Sequence, residues 1–267
     1  MDSTTRLPLR TGRQMPVMGL GTWLLTDQTA ATVEAALDAG YRMIDTAVDY
    51  GSQPGIGEAI RNSSLPRDEI YLVTKIEEDD DPLGGIERDL NEMGLEYADL
   101  TLIHRPPPEG PGESLWRGLI EAQERGLARD IGVSNYSADM VDALAASTGV
   151  TPAVNQIEWT PFGHDLALFD HHGEKDIVVQ AYSPLTRGDL LNADALAEVA
   201  GAYDKTPAQI LIRWNLQRGT VPLPKANQAE HFRENLAVFD FELSDEHMER
   251  LDRFDRNYSA LGGLPYV

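Results

Sequence analysis

The chain has no cysteine and only four lysines among its 267 residues. Without cysteine there is no disulfide framework, no thiol nucleophile and no cysteine-ligated metal centre. Long apolar runs are also missing: nothing approaches the ~18 consecutive apolar residues of a membrane span. The opening "MDSTTRLPLR" lacks the apolar core of a signal peptide. Together these absences predict a cytoplasmic protein with no membrane partner, in which the Asn-x-Ser sites at Asn62 and Asn257 are idle. No Pro/Gly/Ser linker divides the chain, so residues 1–267 read as one domain. The low-complexity patches are short, "EEDDD" at 77–81 and "PPPEG" at 106–110.

Positive charge is scarce as well. Against 44 acidic residues stand 22 basic ones, a net charge of −22 that argues against nucleic acid and anionic membranes as partners. The acids are scattered through helix-like stretches such as "LSDEHMERLDRFD" rather than gathered in a tail. This is the pattern of a solvated surface adapted to high salt, where ions screen the self-repulsion, and it predicts a halophilic source. The few lysines are correspondingly conspicuous. Lys75 and Lys225 both fall at the ends of apparent strands.

Nucleotide-binding fingerprints are absent too. Gly19 and Gly21 begin a GxG, but Trp23 and Leu24 follow where a third glycine belongs; "PGIGEAI" at 54–60 fails similarly, and no Walker A sequence occurs. A Rossmann domain is therefore disfavoured.

What is present is a rhythm. Residues 6–17 alternate around "TGR", predicting a β-hairpin. Strand-like segments then recur at 18–22, 41–47, 70–76, 98–104, 128–135, 153–159, 176–184 and 220–225. Amphipathic stretches separate them, the first covering 28–39 and closed by Gly40. A last helix covers 244–255. Near-continuous apolar strands between helices indicate a parallel sheet. Eight β-then-α units predict an α/β fold, a closed (β/α)8 TIM barrel with an N-terminal β-hairpin cap and an extra C-terminal helix.

Such a barrel gathers the C-terminal ends of its strands on one face, where active sites are built. Asp45 ends the second strand, Lys75 the third and His104 the fourth, with Tyr50 just beyond the second. A phenol is a weak acid, and a nearby ammonium is expected to lower its pKa and ease proton exchange. Asp45 would hold Lys75 charged, and His104 would donate a hydrogen bond to a substrate oxygen. The set suits protonation of an oxygen as a carbonyl becomes an alcohol. Glycosidase chemistry would need two carboxylates about 5–10 Å apart, and the easy pair, Asp45 with Glu158, sits on opposite strands. Metal chemistry at His164, His171 and His172 is disfavoured by their distance from the strand ends.

The ordered motifs "GLGTW", "IDTAVDYG", "LVTK", "DLTLIHRP", "IGVSN", "NQIEW", "AYSPL", "TPAQILIRWNLQRG" and "PLPKANQAEHFREN" cover essentially the whole chain. With them the sequence resembles the aldo-keto reductase family, most of all its smaller prokaryotic, diketogluconate reductase-like branch. The resemblance implies a catalytic tetrad of Asp45, Tyr50, Lys75 and His104, with Tyr50 as the general acid. It also implies a nicotinamide cofactor lying across the barrel mouth, beside Gly21, Thr22 and Asp45. Ser134, Asn135 and Gln156 match the positions that hold its carboxamide, and Tyr182 the ring that stacks beneath it. Ser183, Leu185 and Arg187 match the segment along the pyrophosphate. Lys225, Ala226, Asn227, His231, Glu234 and Asn235 match the adenosine segment. Ala226 and His231 replace the serine and arginine usual near the 2′-phosphate, so NADPH is expected with NADH possible.

Trp23 matches a wall of the substrate pocket, and Trp159 is a second candidate wall beside Tyr50 and His104. Arg105 stands where the family commonly has tryptophan. It is expected to be a packing or surface residue, and inside the pocket it would favour a carboxylate-bearing substrate. The expected activity is NAD(P)H-dependent reduction of a small aldehyde, keto ester or keto sugar by a monomer, in a shallow and permissive pocket. Two other readings remain: a nicotinamide-binding regulatory or scaffold protein without turnover, and a lyase or isomerase using Lys75 as an amine.

Overall fold

The computed structural model describes all residues except Asp80, which falls in the acidic run at 77–81, and Val267. Strands β1 (Arg6–Pro8) and β2 (Gln14–Pro16) form the expected hairpin, paired antiparallel. The β-then-α rhythm follows. β3 (Leu20–Gly21) precedes α1 (Thr29–Ala39), which ends on Gly40 in the left-handed conformation, as expected. β4 (Met43–Asp45) leads through a single 3-10 turn to α2 (Gln53–Asn62). Next come β5 (Tyr71–Ile76), α3 (Pro82–Met93), β6 (Ala98–Ile103) and α4 (Glu113–Glu124). Then follow β7 (Ala128–Ser134), α5 (Ala138–Thr148), β8 (Val154–Glu158), α6 (Leu166–Glu174) and β9 (Val178–Tyr182). α7 (Asp194–Ala202) and α8 (Pro207–Arg218) precede β10 (Val221–Pro222), and α9 (Ala229–Leu236) and α10 (Asp245–Asp252) complete the chain.

Among the described residues, β3 to β10 form one eight-stranded parallel sheet whose neighbours follow chain order. The expectation of a closed barrel needs correction at one seam. No continuous ladder joins β10 to β3; Gly19 N–H donates to Pro222 O at 3.1 Å and Gly21 N–H to Pro224 O at 3.2 Å. Proline has no N–H to return, so Pro222 and Pro224 cannot complete the exchange. The sheet is curled into a barrel-like form whose edges meet through these two bonds.

Two apolar layers hold it. Inside, Met43, Tyr71, Val73, Leu100, Leu102 and Val154 pack together with Leu9 and Met15 of the hairpin. The hairpin thus plugs the end of the sheet opposite the strands' C-termini, the cap that the alternation at 6–17 predicts. Outside, residues of the opposite parity, such as Ile44, Leu72, Ile76 and Ile103, pack against the helices. This period of two decides which side chains reach the mouth. Beyond the inward Met43 comes Asp45; beyond Tyr71 and Val73 comes Lys75; beyond Leu100 and Leu102 comes His104.

Candidate active site

Lys75 is fully buried, and each of its N–H bonds has an acceptor on adjacent β4 or just past it. Nζ donates to Asp45 Oδ1 at 2.9 Å, Asp45 Oδ2 at 3.0 Å and the Thr46 carbonyl at 2.8 Å. Burial alone would push the ammonium's pKa down, but the Asp45 carboxylate and the Tyr50 phenol outweigh it, and the pKa lies above its ordinary value. A lysine so held stays charged, which disfavours the amine chemistry of a Schiff-base lyase. Asp45 Oδ1 also accepts from Gln156 Nε2 at 2.7 Å, and that amide donates onward to Gln180 Oε1 at 3.0 Å. Gln156 therefore extends the ion pair across the barrel.

The 3-10 turn Val48–Tyr50 lifts Tyr50 back over this pair. Lys75 Nζ lies 5.0 Å from the Tyr50 ring centroid, and the His104 ring meets Tyr50 edge-on at 5.8 Å. Four residues from β4, β5 and β6 are thus gathered at one point. One electrostatic expectation is overturned here. Burial raises the Tyr50 pKa above the ordinary phenol value; Lys75 pulls the other way but does not win, and Asp45 and Asp49 add to the rise. Tyr50 consequently keeps its proton across the neutral range.

Sequence reading missed the partner of His104. Nδ1 lies 2.8 Å from Glu77 Oε1 and 3.8 Å from Asp49 Oδ1, while Arg105 reaches Asp49 Oδ2 at 3.5 Å. The signal was available: Glu77 follows Lys75 by two residues and shares its inward parity, although it reads at first as the start of an acidic run.

A cleft of about 440 Å³ runs from Tyr50 and His104 across the mouth to Lys225 and His231. Gly21, Thr22 and Trp23 line it from the β3 end, and Ser134, Asn135 and Gln156 from β7 and β8. Tyr182, Ser183, Leu185 and Arg187 continue past β9, and Lys225, Ala226, Asn227 and His231 close the far end. A Cβ at Gly21 would stand 2.8 Å from Leu223 O, so only glycine fits there. Tyr182 Oη donates to Asn135 Oδ1 at 2.8 Å, and Asn135 Nδ2 to the His104 carbonyl at 3.1 Å. The Arg187 guanidinium lies 4.0 Å over the Trp23 ring, and Lys225 Nζ bonds the Leu24 carbonyl at 3.2 Å. A flat ring and amides at one end, with two cations along an extended channel, fit a nicotinamide dinucleotide. Arg105 is half-exposed in a surface ion pair with Asp49, the expected surface role, and it also borders the mouth.

Besides Lys75, which lies buried beneath Tyr50, three expected residues fall outside the cleft. Trp159 is fully buried, 5.3 Å from His164 and 6.4 Å from Trp214. It takes the outward parity after inward Glu158 and packs beneath the helices, so it is no pocket wall. Glu234 turns to Thr206, whose Oγ1 donates to it at 2.5 Å, and Asn235 is buried in α9; neither lines the channel. Glu158 also has a role not expected from sequence. It accepts from Ser259 Oγ at 2.6 Å and Ala260 N at 2.7 Å, pinning the C-terminal segment so that Leu261 borders the cleft.

The comparisons agree with this geometry. The aldo/keto reductase family pattern matches residues 17–256. An aldo-keto reductase of Mycolicibacterium vanbaalenii is 43% identical, covering 96% of this chain and 95% of that protein. A 2,5-diketo-D-gluconic acid reductase B of a Corynebacterium species is 40% identical, with 96% and 95% covered. Among solved structures, an aldo/keto reductase from Brucella melitensis superposes with a TM-score of 0.89 at 35% identity, over 94% of this chain and 99% of that one. A Bombyx mori aldo-keto reductase in complex with NADP gives 0.90 at 30% identity, over 97% and 95%. The parallel curled sheet, the strand-end site and these likenesses over nearly the whole length establish that the chain belongs to the aldo/keto reductase family and is an NAD(P)H-dependent oxidoreductase acting on carbonyl or alcohol groups.

Proposed function

We propose that this enzyme reduces a small aldehyde, keto ester or keto sugar to the alcohol, with Tyr50 as the proton donor and NADPH as the preferred reductant. The observation that carries this reading is the buried Lys75–Asp45 pair set beneath the Tyr50 ring. When bound, the nicotinamide supplies hydride. Tyr50 then gives its proton to the carbonyl oxygen, and the resulting phenolate charge is met by the Lys75 ammonium that Asp45 and Thr46 hold in place. His104, edge-on to Tyr50, orients the substrate oxygen. Ser134, Asn135, Gln156 and Tyr182 are the residues for the nicotinamide end. Arg187 would meet the pyrophosphate and Lys225 the 2′-phosphate. Ala226 and His231 offer less to that phosphate than a hydroxyl and a guanidinium would, so NADH use is part of the proposal.

Substrate breadth follows from the half-exposed rim of Asp49, Arg105 and Leu261. Arg105 at the mouth favours substrates carrying a carboxylate, in keeping with the diketo acid named for the Corynebacterium relative. The acidic composition supports a halophilic setting, and the charge supports a monomer. The test is to follow nicotinamide oxidation in molar KCl against aldehydes, α-keto esters and diketo sugar acids. Carbonyl-dependent oxidation is expected with both cofactors and faster with NADPH. Tyr50→Phe should lower kcat by at least about a thousandfold while cofactor affinity stays within about twofold. Wild-type turnover in that variant would remove Tyr50 from its role.

A further inference from the structure

Glu77 accounts for one of the two nitrogens of the His104 ring. Its carboxylate lies 2.8 Å from Nδ1, and the pair is largely shielded, with side chains 18% and 8% exposed. An ionised carboxylate only accepts hydrogen bonds. Nδ1 therefore carries the proton, and Nε2 is the nitrogen left to a substrate. In the neutral ring with that tautomer, Nε2 is a lone-pair acceptor. A carbonyl oxygen is also an acceptor, so the two cannot bond. Nε2 donates only when the ring is doubly protonated.

We infer that Glu77 is a positioning residue that fixes His104 as the Nδ1–H tautomer and so makes carbonyl reduction depend on the imidazolium form of His104. The inference rests on the reading above, in which His104 addresses the substrate oxygen. No proton leaves His104 in the reaction: hydride goes to the carbonyl carbon, the proton to its oxygen comes from Tyr50, and the ring supplies a hydrogen bond alone. The other groups facing the ring are compatible with this. Asp49, from the turn after β4, stands 3.8 Å from Nδ1, beyond hydrogen-bond reach, and its second oxygen is taken by Arg105 from the segment after β6. Tyr50 meets the ring edge-on, with the Lys75–Asp45 pair behind it. Asn135 holds the His104 carbonyl, fixing the backbone and leaving the ring to Glu77.

Glu77→Gln separates the possibilities, because a glutamine amide can donate to Nδ1 and allow the neutral Nε2–H tautomer. Two readouts are needed. In protein labelled with 15N-histidine and without cofactor, the neutral His104 of wild type should carry its proton on Nδ1, and that of Glu77→Gln on Nε2. The signal is assigned by its loss in His104→Asn. For aldehyde reduction, wild-type kcat/KM should fall about tenfold per pH unit on its alkaline limb, and that of Glu77→Gln less than about twofold over the same range. Burial holds the Tyr50 phenol above its ordinary value, so Tyr50 keeps its proton across the neutral range. A wild-type ring protonated on Nε2, or an unchanged limb in the variant, overturns the inference. Nδ1 protonation in a wild type without carbonyl-dependent turnover would instead overturn the functional reading and, with it, the catalytic half of this one.

Discussion

Lys75 and Trp159 show how one rule of parity decides a residue's fate. Along β5, Tyr71 and Val73 point into the barrel and Lys75 follows them to the mouth. At the end of β8, Glu158 takes the inward position and Trp159 the outward one, so the larger and more suggestive side chain lands in the packing beneath the helices. Trp159→Ala should accordingly destabilise the fold by about 3–5 kcal/mol while leaving the order of preferred substrates unchanged. Urea unfolding and a substrate panel check the two halves, and altered preference with little loss of stability would return Trp159 to the pocket. Asp45, Lys75 and His104 are legible in the sequence for the same reason: each is a polar residue continuing an apolar strand. Glu77 shares the parity of Lys75, but the acids around it disguise that signal.

Among elements, the seam and the helix layer carry consequences that no single residue does. β10 is short because Pro222 and Pro224 cannot donate, and the bonds to Gly19 and Gly21 replace a ladder. In the helix layer, Asp89 of α3 accepts from Thr74 at 2.9 Å, and burial pushes its carboxyl up to about 6. Its ionisation costs stability above that pH, and the cost is relieved as pH falls toward its unfolded value. His172 of α6 does the reverse. Burial pulls it down to about 4, and its Nε2 accepts from Asn155 Nδ2 at 2.8 Å, so stability present above its unfolded value is lost as pH falls toward 4. The two offset one another between about pH 4 and 6.5. Asp89→Asn removes one side of the balance. The variant should be more stable than wild type at pH 7 by about 2–3 kcal/mol, and its urea midpoint should fall more steeply with acid than the wild-type midpoint does. Parallel midpoint curves would show that Asp89 is not the opposing group.

For the whole molecule, charge dominates. A net −22 on one chain is self-repulsive, and ion pairs such as Arg117–Glu113 and Arg253–Glu249 are half-exposed. Exposed pairs of this kind contribute little, so screening should relieve more repulsion than it removes attraction. Raising KCl from about 0.1 M to about 1 M is expected to raise the melting temperature. A fall would mean that the ion pairs outweigh the net charge.

Local pattern alone determined the order of strands and helices, the hairpin plug and the strand-end residues Asp45, Lys75 and His104, because side-chain period and turn chemistry are short-range. Tertiary structure alone decided what depends on where distant segments meet. It set the two-bond seam, the burial that outweighs Lys75 at Tyr50, the seating of Glu77 on His104 and the pinning of the C-terminal segment by Glu158. Each of these joins residues from separate elements, and the dielectric and distances between them exist only once the sheet has curled.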